Sequence, residues 1–320
     1  MENYQRAGDR VRHWLNAHFD ADGKSTIAAN EVQFYIKAPY LLHAAGLHLK
    51  AARAAKFALE HCLDSDGMLT GSGALENRVY GMGWLLLGAV AVERFDLAGA
   101  LIPRLKAMQD RHSGGVLLPD ADAGEDVGEV CFSGGVGMAL AAAGQTAAAQ
   151  RMADRFVALL RAQPQSERYF NRFRRDGTVV DRAAAGDWEK MYDLHLDEQR
   201  PANFATVINT LVWVGRALRD GAYFAAARRY VDLVYGHRLD PAHFGRATKF
   251  GWSLLNLYEE TGEEDLLQKA RHLGNVLVRH QCADGLWHPR PGDHADAPAP
   301  LRLSYSSDCA MTVLALAQYA

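Results

Sequence analysis

The sequence predicts an all-α protein, an (α/α)6 barrel or toroid of six outer/inner helix pairs, formed by residues 1–320 as one domain. Three observations predict it. Amphipathic helices alternate with helices that carry almost no charge, and a helix apolar all round must be surrounded by protein. Asp-Gly turns recur between the two kinds, which gives the chain an internal period that has to stack to bury its inner faces. The last helix, Ala310-Met311-Thr312-Val313-Leu314-Ala315-Leu316-Ala317, is among the most apolar, whereas an open solenoid ends on a polar cap.

The sixth pair shows the pattern most plainly. Over Glu264 to His280, Leu266, Ala270, Leu273 and Leu277 fall on one helical face, and Asp265, Lys269, Arg271 and Arg279 fall elsewhere. The turn Gln281-Cys282-Ala283-Asp284-Gly285-Leu286-Trp287 follows, and then an inner helix from Tyr305 to Tyr319.

From the start of the chain, Tyr4 to Phe19 is amphipathic, ends at Asp20-Ala21-Asp22-Gly23, and is followed by an inner helix from Asn30 to Ala45 with Pro39 in its first turns or at a kink. The second pair is Ala51 to Leu63, turn Asp64-Ser65-Asp66-Gly67, then Asn77 to Val92. The third is Leu97 to Asp110, turn Ser113-Gly114-Gly115, then Glu129 to Ala143, whose Gly134, Gly135 and Gly137 permit close helix contact. The fourth is Thr146 to Arg161, turn Arg174-Arg175-Asp176-Gly177, a long polar excursion with room for a short hairpin around Phe170 to Val180, then Pro201 to Leu218. The fifth is Ala222 to Tyr235, a break at Leu239-Asp240-Pro241, then Ala247 to Glu260 capped by Gly262.

Composition narrows the function classes. With 49% apolar and 23% charged residues and a formal charge of -3 spread without a basic run, the chain is expected to bind neither nucleic acid nor an anionic membrane. The longest uncharged apolar run, Met82 to Val92, is too short for a membrane span. Four dispersed cysteines without a CxxC pair, and no apolar leader after Met1, predict a reduced, cytoplasmic protein. No metal-ligand spacing appears, His288 and His294 read as surface residues, and no cofactor is expected. Oligomeric state is not legible.

Two resemblances follow from these motifs. The alternation of helices with Asp-Gly turns, and Gln281-Cys282-Ala283-Asp284-Gly285-Leu286-Trp287 above all, resembles the QxxDGxW element of the terpenoid-cyclase and protein-prenyltransferase toroids. The stretch from Phe250-Gly251-Trp252 to Asp284-Gly285-Leu286-Trp287-His288 is similar to unsaturated-uronyl glycoside hydrolases, which share a six-pair barrel. The first implies an aromatic funnel for an isoprenoid, the second a uronide site. The chain departs from both terpenoid chemistries: Asp120-Ala121-Asp122-Ala123 does not match the DxDD motif of class II cyclases, and the aspartate-rich diphosphate motif of class I enzymes is absent.

In such a barrel the first turns of the inner helices line one mouth, where helix dipoles favour anions. Polar residues at those positions are the site candidates. Asp308 is the one charge in its apolar inner helix, where burial is expected to raise its pKa toward a range suited to proton transfer, unless it caps the helix after Ser306 and Ser307. Glu129 poses the same choice, with a cap or an ion pair to Arg78 or Lys249 as its structural alternative.

Cys131 and Cys309 begin inner helices, where a thiol becomes nucleophilic if its pKa falls and is otherwise inert packing. The segment Trp188 to Glu198, with Tyr192, Asp193, His195 and Asp197, is read as a loop where a cover over the mouth would lie, its His195 an acid–base residue or lid contact unless it is a solvated loop histidine. Asp308, Glu129, Tyr305, His195 and Cys131 are thus the candidate catalytic residues. Tyr35, Lys37, Asn77, Arg78, Tyr80, Trp84, Trp188, Tyr192, Asn203, Lys249, Trp252 and Cys309 are the candidate binding residues.

Three functions fit. The first is an acid–base enzyme that remodels an apolar small molecule, a terpenoid or polyketide, as isomerase, cyclase or dehydratase, using aromatic faces to stabilise cations. The second is a carbohydrate enzyme, a hydrolase of unsaturated uronides, a lyase or an epimerase, with Arg78, Lys249 or Lys37 gripping a uronate. The third is a binding toroid without catalysis.

Overall fold

Helices with one wet face and helices with none can satisfy each other only by nesting, the first kind outside the second. The computed structural model describes residues 2–27, 31–70, 75–120, 124–182, 191–193, 202–236, 248–288 and 299–319, and in it the two kinds form concentric layers. Among the described residues there are twelve α-helices: α1 (Glu2–His18), α2 (Ala38–Ala44), α3 (His48–His61), α4 (Leu75–Ala91), α5 (Phe95–Met108), α6 (Val130–Ala142), α7 (Thr146–Ala162), α8 (Ala202–Leu218), α9 (Gly221–Tyr235), α10 (Phe250–Thr261), α11 (Glu264–His280) and α12 (Ala299–Leu316). Odd-numbered helices are outer and even-numbered ones inner. Each inner helix packs on the next, α2 on α4, α4 on α6, α6 on α8, α8 on α10 and α10 on α12, and α12 returns to α2, so the inner layer is a closed ring. No helix among the described residues is long and apolar enough to cross a membrane.

The two mouths of the ring are built by different loops. Where an inner helix gives way to the next outer one, a left-handed residue reverses the chain: Gly46, Glu93, Gly144, Arg219 or Gly262, with φ between +55° and +77°. Between an outer helix and the next inner one, five turns share another design. Asp20, Asp64, Asp110, Arg174 and Cys282 each donate their N–H to a carbonyl four or five residues on, at 2.8 to 2.9 Å. A left-handed glycine follows in each, Gly23, Gly67, Gly114, Gly177 or Gly285. Three of these turns, those of Gly23, Gly67 and Gly114, press against the backbone of the next outer helix, at Ala54, Ala100 and Arg151. Gly285 does the same to Arg10 of α1, so the last repeat meets the first through the contact that joins the others.

The QxxDGxW-like element is this closing contact. Gln281 Nε2 donates to the carbonyls of Ala7 (3.0 Å) and Gly285 (2.8 Å), while its Oε1 accepts from Arg10 Nε at 2.9 Å. The Trp287 indole is fully buried and donates to the Leu277 carbonyl at 2.8 Å. Tyr4 adds a second tie, its hydroxyl lying 2.7 Å from Asn275 Oδ1 and 3.0 Å from the Arg271 carbonyl.

Several boundaries differ from the sequence reading. The first inner helix begins at Ala38 rather than Asn30, because residues 32–34 close a 3-10 turn first and Pro39 opens the α-helix instead of kinking it. The last begins at Ala299, six residues before Tyr305, so Asp308 and Cys309 lie well inside it. Among the described residues there are five short strands: β1 (Leu117–Asp120), β2 (Glu125–Glu129), β3 (Arg168–Phe170), β4 (Arg172–Phe173) and β5 (Met191–Asp193). β2 pairs with both β1 and β4, and β3 pairs with β5. The hairpin foreseen around Phe170 to Val180 is realised as β4 and its bridge from Phe173 to Val179, whereas the β1–β2 hairpin was not foreseen. The expected break at Leu239-Asp240-Pro241 lies outside the described residues.

Candidate functional site

Asp308 has to find a cation or lose its charge, because α12 puts it in a helix with no other charge from Leu303 to its end. Its two neighbours in the ring supply one each. Lys37 precedes α2 and Lys249 precedes α10, in the same relation to their helices, and α12 runs between them. Lys37 Nζ lies 2.6 Å from Asp308 Oδ1 and Lys249 Nζ 2.8 Å from Oδ2. The three side chains are 10%, 6% and 14% exposed. Lys37 also reaches the Ser304 carbonyl at 3.4 Å.

The electrostatics of this cluster correct the expectation for Asp308. Burial alone pushes its carboxyl up, but the Lys249 and Lys37 ammoniums outweigh burial and hold it below its ordinary value. Asp308 is therefore an anion at neutral pH, not a protonated acid, and at the tenth residue of α12 it does not cap the helix. Burial also lowers the proton affinity of both lysines. For Lys249 the carboxylate overcomes it and the ammonium is held above its usual range; for Lys37 burial and repulsion from Lys249 prevail over Asp308 and its affinity falls.

A cavity of 350 Å³ opens beside Lys37, between the approach to α2, the first turns of α4 and the early turns of α12. Asn77, Tyr80, Phe34, Ser304 and Ser307 are among its lining. Beneath it lie aromatic rings. Lys37 Nζ stands 5.3 Å from the Trp84 ring and 5.9 Å from the Tyr80 ring. Trp84 meets Trp252 at 6.1 Å, and Trp252 meets Tyr40 at 5.7 Å and Trp213 at 5.9 Å. The Trp84 indole N–H lies beside the Tyr80 hydroxyl without closing a well-formed hydrogen bond.

The remaining candidates divide. Cys131, in the first turn of α6, acts electrostatically on both lysines and belongs to this centre, but burial, reinforced by Glu129, pushes its thiol up to about 12. The Cys309 thiol is raised further, by burial and Asp308, against a lowering effect of Tyr305. The helix-start account of an activated nucleophile therefore fails for both: desolvation outweighs the dipole at Cys131, and Cys309 is the eleventh residue of its helix.

Glu129 caps α6, Oε2 accepting the Phe132 N–H at 2.9 Å, and Lys249, weighed as its partner, is committed to Asp308. Tyr305 is half-buried on α12. Arg78 is half-buried beside Asn77, and Asn203 is half-buried in the first turn of α8.

Two aromatic candidates make other contacts. Tyr35 stacks on Phe57 at 4.6 Å, and its hydroxyl accepts the Ser25 N–H at 2.9 Å. Tyr192, placed by sequence in a loop, sits in β5 opposite Tyr169 with its ring 5.2 Å from Phe204. Trp188 and His195 lie outside the described residues. Sequence reading named both lysines and Asp308 yet did not join them; the signal was the lone charge of the last helix, which requires a cation from a neighbouring helix.

No protein family matches this chain, and no curated protein matches it. Solved structures do. The GH76A alpha-1,6-mannanase from Salegentibacter sp. HEL1_6 superposes with a TM-score of 0.70 at 10% identity over 99% of this chain and 100% of its own. A D-mannose isomerase gives 0.67 at 14% identity over 97% and 96%. The type II terpene cyclase MstE from Scytonema gives 0.61 at 14% identity over 100% of both chains. These likenesses, with the closed ring of α2 to α12, establish the fold as an (α/α)6 toroid.

Proposed function

We propose that this chain is an acid–base enzyme that moves a proton between adjacent carbon atoms of a small hydroxycarbonyl compound, an isomerase working in the cavity beside Lys37. The observation that carries this reading is the convergence of two buried lysines on one buried carboxylate, with Lys37 lining that cavity. Lys37, whose proton affinity is lowered, is the base. As a neutral amine it takes a proton from the carbon next to the carbonyl, and the ammonium so formed is stabilised by Asp308. The same ammonium returns the proton to the former carbonyl carbon while the proton of the adjacent hydroxyl passes to the carbonyl oxygen, so the substrate rearranges with no atom gained or lost. Lys249, held protonated, keeps the cluster positive while an enolate carries negative charge. Asn77 and Ser307, which line the cavity, orient the substrate. The fold is shared with a D-mannose isomerase, which supports an aldose as the first substrate to try.

Incubating the protein in D2O with D-mannose and other aldoses, followed by proton NMR, is expected to show deuterium entering at the carbon next to the carbonyl. Lys37→Met is expected to abolish exchange, and the wild-type rate is expected to fall as pH drops and Lys37 is protonated. Exchange that persists in Lys37→Met overturns the assignment of the base.

A second reading, remodelling of a terpenoid or polyketide, is favoured by the ring cluster of Trp84, Trp252, Trp213 and Tyr40. The type II terpene cyclase that shares the fold supports it. Since Asp308 is an anion, another group has to supply the proton in that chemistry. Turnover of prenyl alcohols or polyenes without any aldose exchange selects it.

A further inference from the structure

The three helices that meet at Asp308 part again at their other ends. Between them lies a second cavity, of 150 Å³, reached by Ala44, the last residue of α2, by Glu259 in the last turn of α10 and by Ala315 near the end of α12. Helix C-termini carry partial negative charge, so the polarity of this mouth is the reverse of that at the lysines.

The side chains give the cavity the same sign. Among the described residues Glu259 is the formal charge in its lining, and neither lysine nor arginine joins it there. Arg216 Nη2 stands 3.4 Å from Glu259 Oε2, but its Nε makes the closer contact, 2.6 Å, with Glu260 Oε1. Two carboxylates therefore share one guanidinium. The Tyr319 hydroxyl fixes Glu259 by donating to Oε1 at 2.6 Å. Burial and the Glu259 charge together push the Tyr40 phenol up, so Tyr40 offers the cavity a neutral ring. The Trp252 ring, 5.7 Å from that of Tyr40, lines it too. Asn256, only 9% exposed, spends its Nδ2 on Asn209 Oδ1 at 2.8 Å, which leaves its own Oδ1 as an acceptor without a partner among the described residues.

We propose that this cavity is a second binding site, for a small primary amine bound as its ammonium ion, with Asn256 Oδ1 accepting from the nitrogen and Glu259 as counterion. The Tyr40 and Trp252 rings attract the cation, and Met311 and Leu314 cover the alkyl part. The site is distinct from the cavity beside Lys37, and the proposal does not depend on the reaction assigned there.

Isothermal titration of the full chain at pH 7 with two matched pairs tests this: butylammonium against butan-1-ol, and cyclopentylammonium against cyclopentanol. In at least one pair the amine is expected to bind tenfold or more tightly than the alcohol. Glu259→Gln removes the charge yet keeps an oxygen for the Tyr319 hydroxyl, and is expected to lose most of the preference. Gln318→Lys, at an exposed position in the lining, puts a cation beside the site and is expected to abolish amine binding. Lys37→Met, at the opposite mouth, is expected to leave amine affinity within twofold of the wild type.

Equal affinity within both pairs, no binding of either amine, or a preference that survives in folded Glu259→Gln and Gln318→Lys proteins overturns the proposal. A larger change in Lys37→Met puts the amine in the other cavity and overturns it as well. Carbon–hydrogen exchange on aldoses is read separately, so the loss of either result leaves the other standing.

Discussion

Asp308 is one charge in a long apolar helix, and the energetics of the centre follow from it. Breaking a buried ion pair by removing one partner leaves an uncompensated charge and costs about 3–5 kcal/mol, whereas replacing the whole set by apolar residues of similar volume is neutral or stabilising by about 1–4 kcal/mol. Asp308→Asn is therefore expected to destabilise the protein by the first amount, because two ammoniums lose their shared carboxylate. The triple variant Lys37→Met, Lys249→Met, Asp308→Leu is expected to match or exceed the wild type in stability while losing all activity. The pH dependence has a definite sign. Since Asp308's carboxyl lies below its ordinary 3.8, its contribution is present above that value and is lost as pH falls through the lower folded value. Chemical denaturation between pH 2 and 7 is expected to show this loss in the wild type and not in the triple variant. A triple variant less stable than Asp308→Asn would mean that the cluster is there to hold the fold. At this scale the sequence was only half legible: a lone Asp in an apolar helix was visible, but which cations answer it depends on α2, α10 and α12 being neighbours.

At the level of elements, the glycine of each turn serves one of two purposes, and sequence alone does not separate them. Gly262 and Gly285 are both left-handed, at φ +69° and +92°. A Cβ at Gly262 meets nothing within 4 Å, so Gly262→Ala is expected to cost only the strain of the conformation, about 1–2 kcal/mol. A Cβ at Gly285 meets the Arg10 carbonyl oxygen at 2.6 Å, so Gly285→Ala carries the same strain and must also push α1 away. Urea titration of both variants is expected to show the larger loss at Gly285; equal losses would contradict the role of this turn as a contact between repeats. The helices and turns were legible because their signals are local, a periodicity or an Asp-Gly pair. The β1–β2 hairpin was not, because its third strand is remote in sequence: Gly128 of β2 pairs with Phe173 of β4. The Phe173 ring covers Gly128 and Gly115, leaving no room for a Cβ at either.

For the whole molecule, the consequence of closure is that no repeat is terminal. In a linear array each repeat contacts only its neighbours, so the ends fray and loosening one interface can detach what lies beyond it. Here the interface between the last and first repeats is built like the others. The first turn is held by α3, where Lys50 Nζ donates to the Asn16 and Phe19 carbonyls at 2.6 and 2.5 Å and Arg53 reaches the Ala21 carbonyl. The last turn is held by α1, where Arg10 grips Gln281 and Gln281 grips Ala7. The double variants Lys50→Ala/Arg53→Ala and Arg10→Ala/Gln281→Ala each remove a small set of such bonds, at about 1 kcal/mol per bond. If the seam is an interface like any other, both are expected to lower the urea midpoint by similar amounts, with circular dichroism and tryptophan fluorescence still tracing one coincident transition of unchanged slope. An open solenoid responds differently: the seam variant unfolds in two steps, with the reduced slope of a smaller cooperative unit, while the inner-interface variant splits the array. The sequence anticipated closure from the apolar last helix, and the geometry adds its means, a glycine turn and a glutamine that fasten the sixth repeat to the helix with which the chain begins.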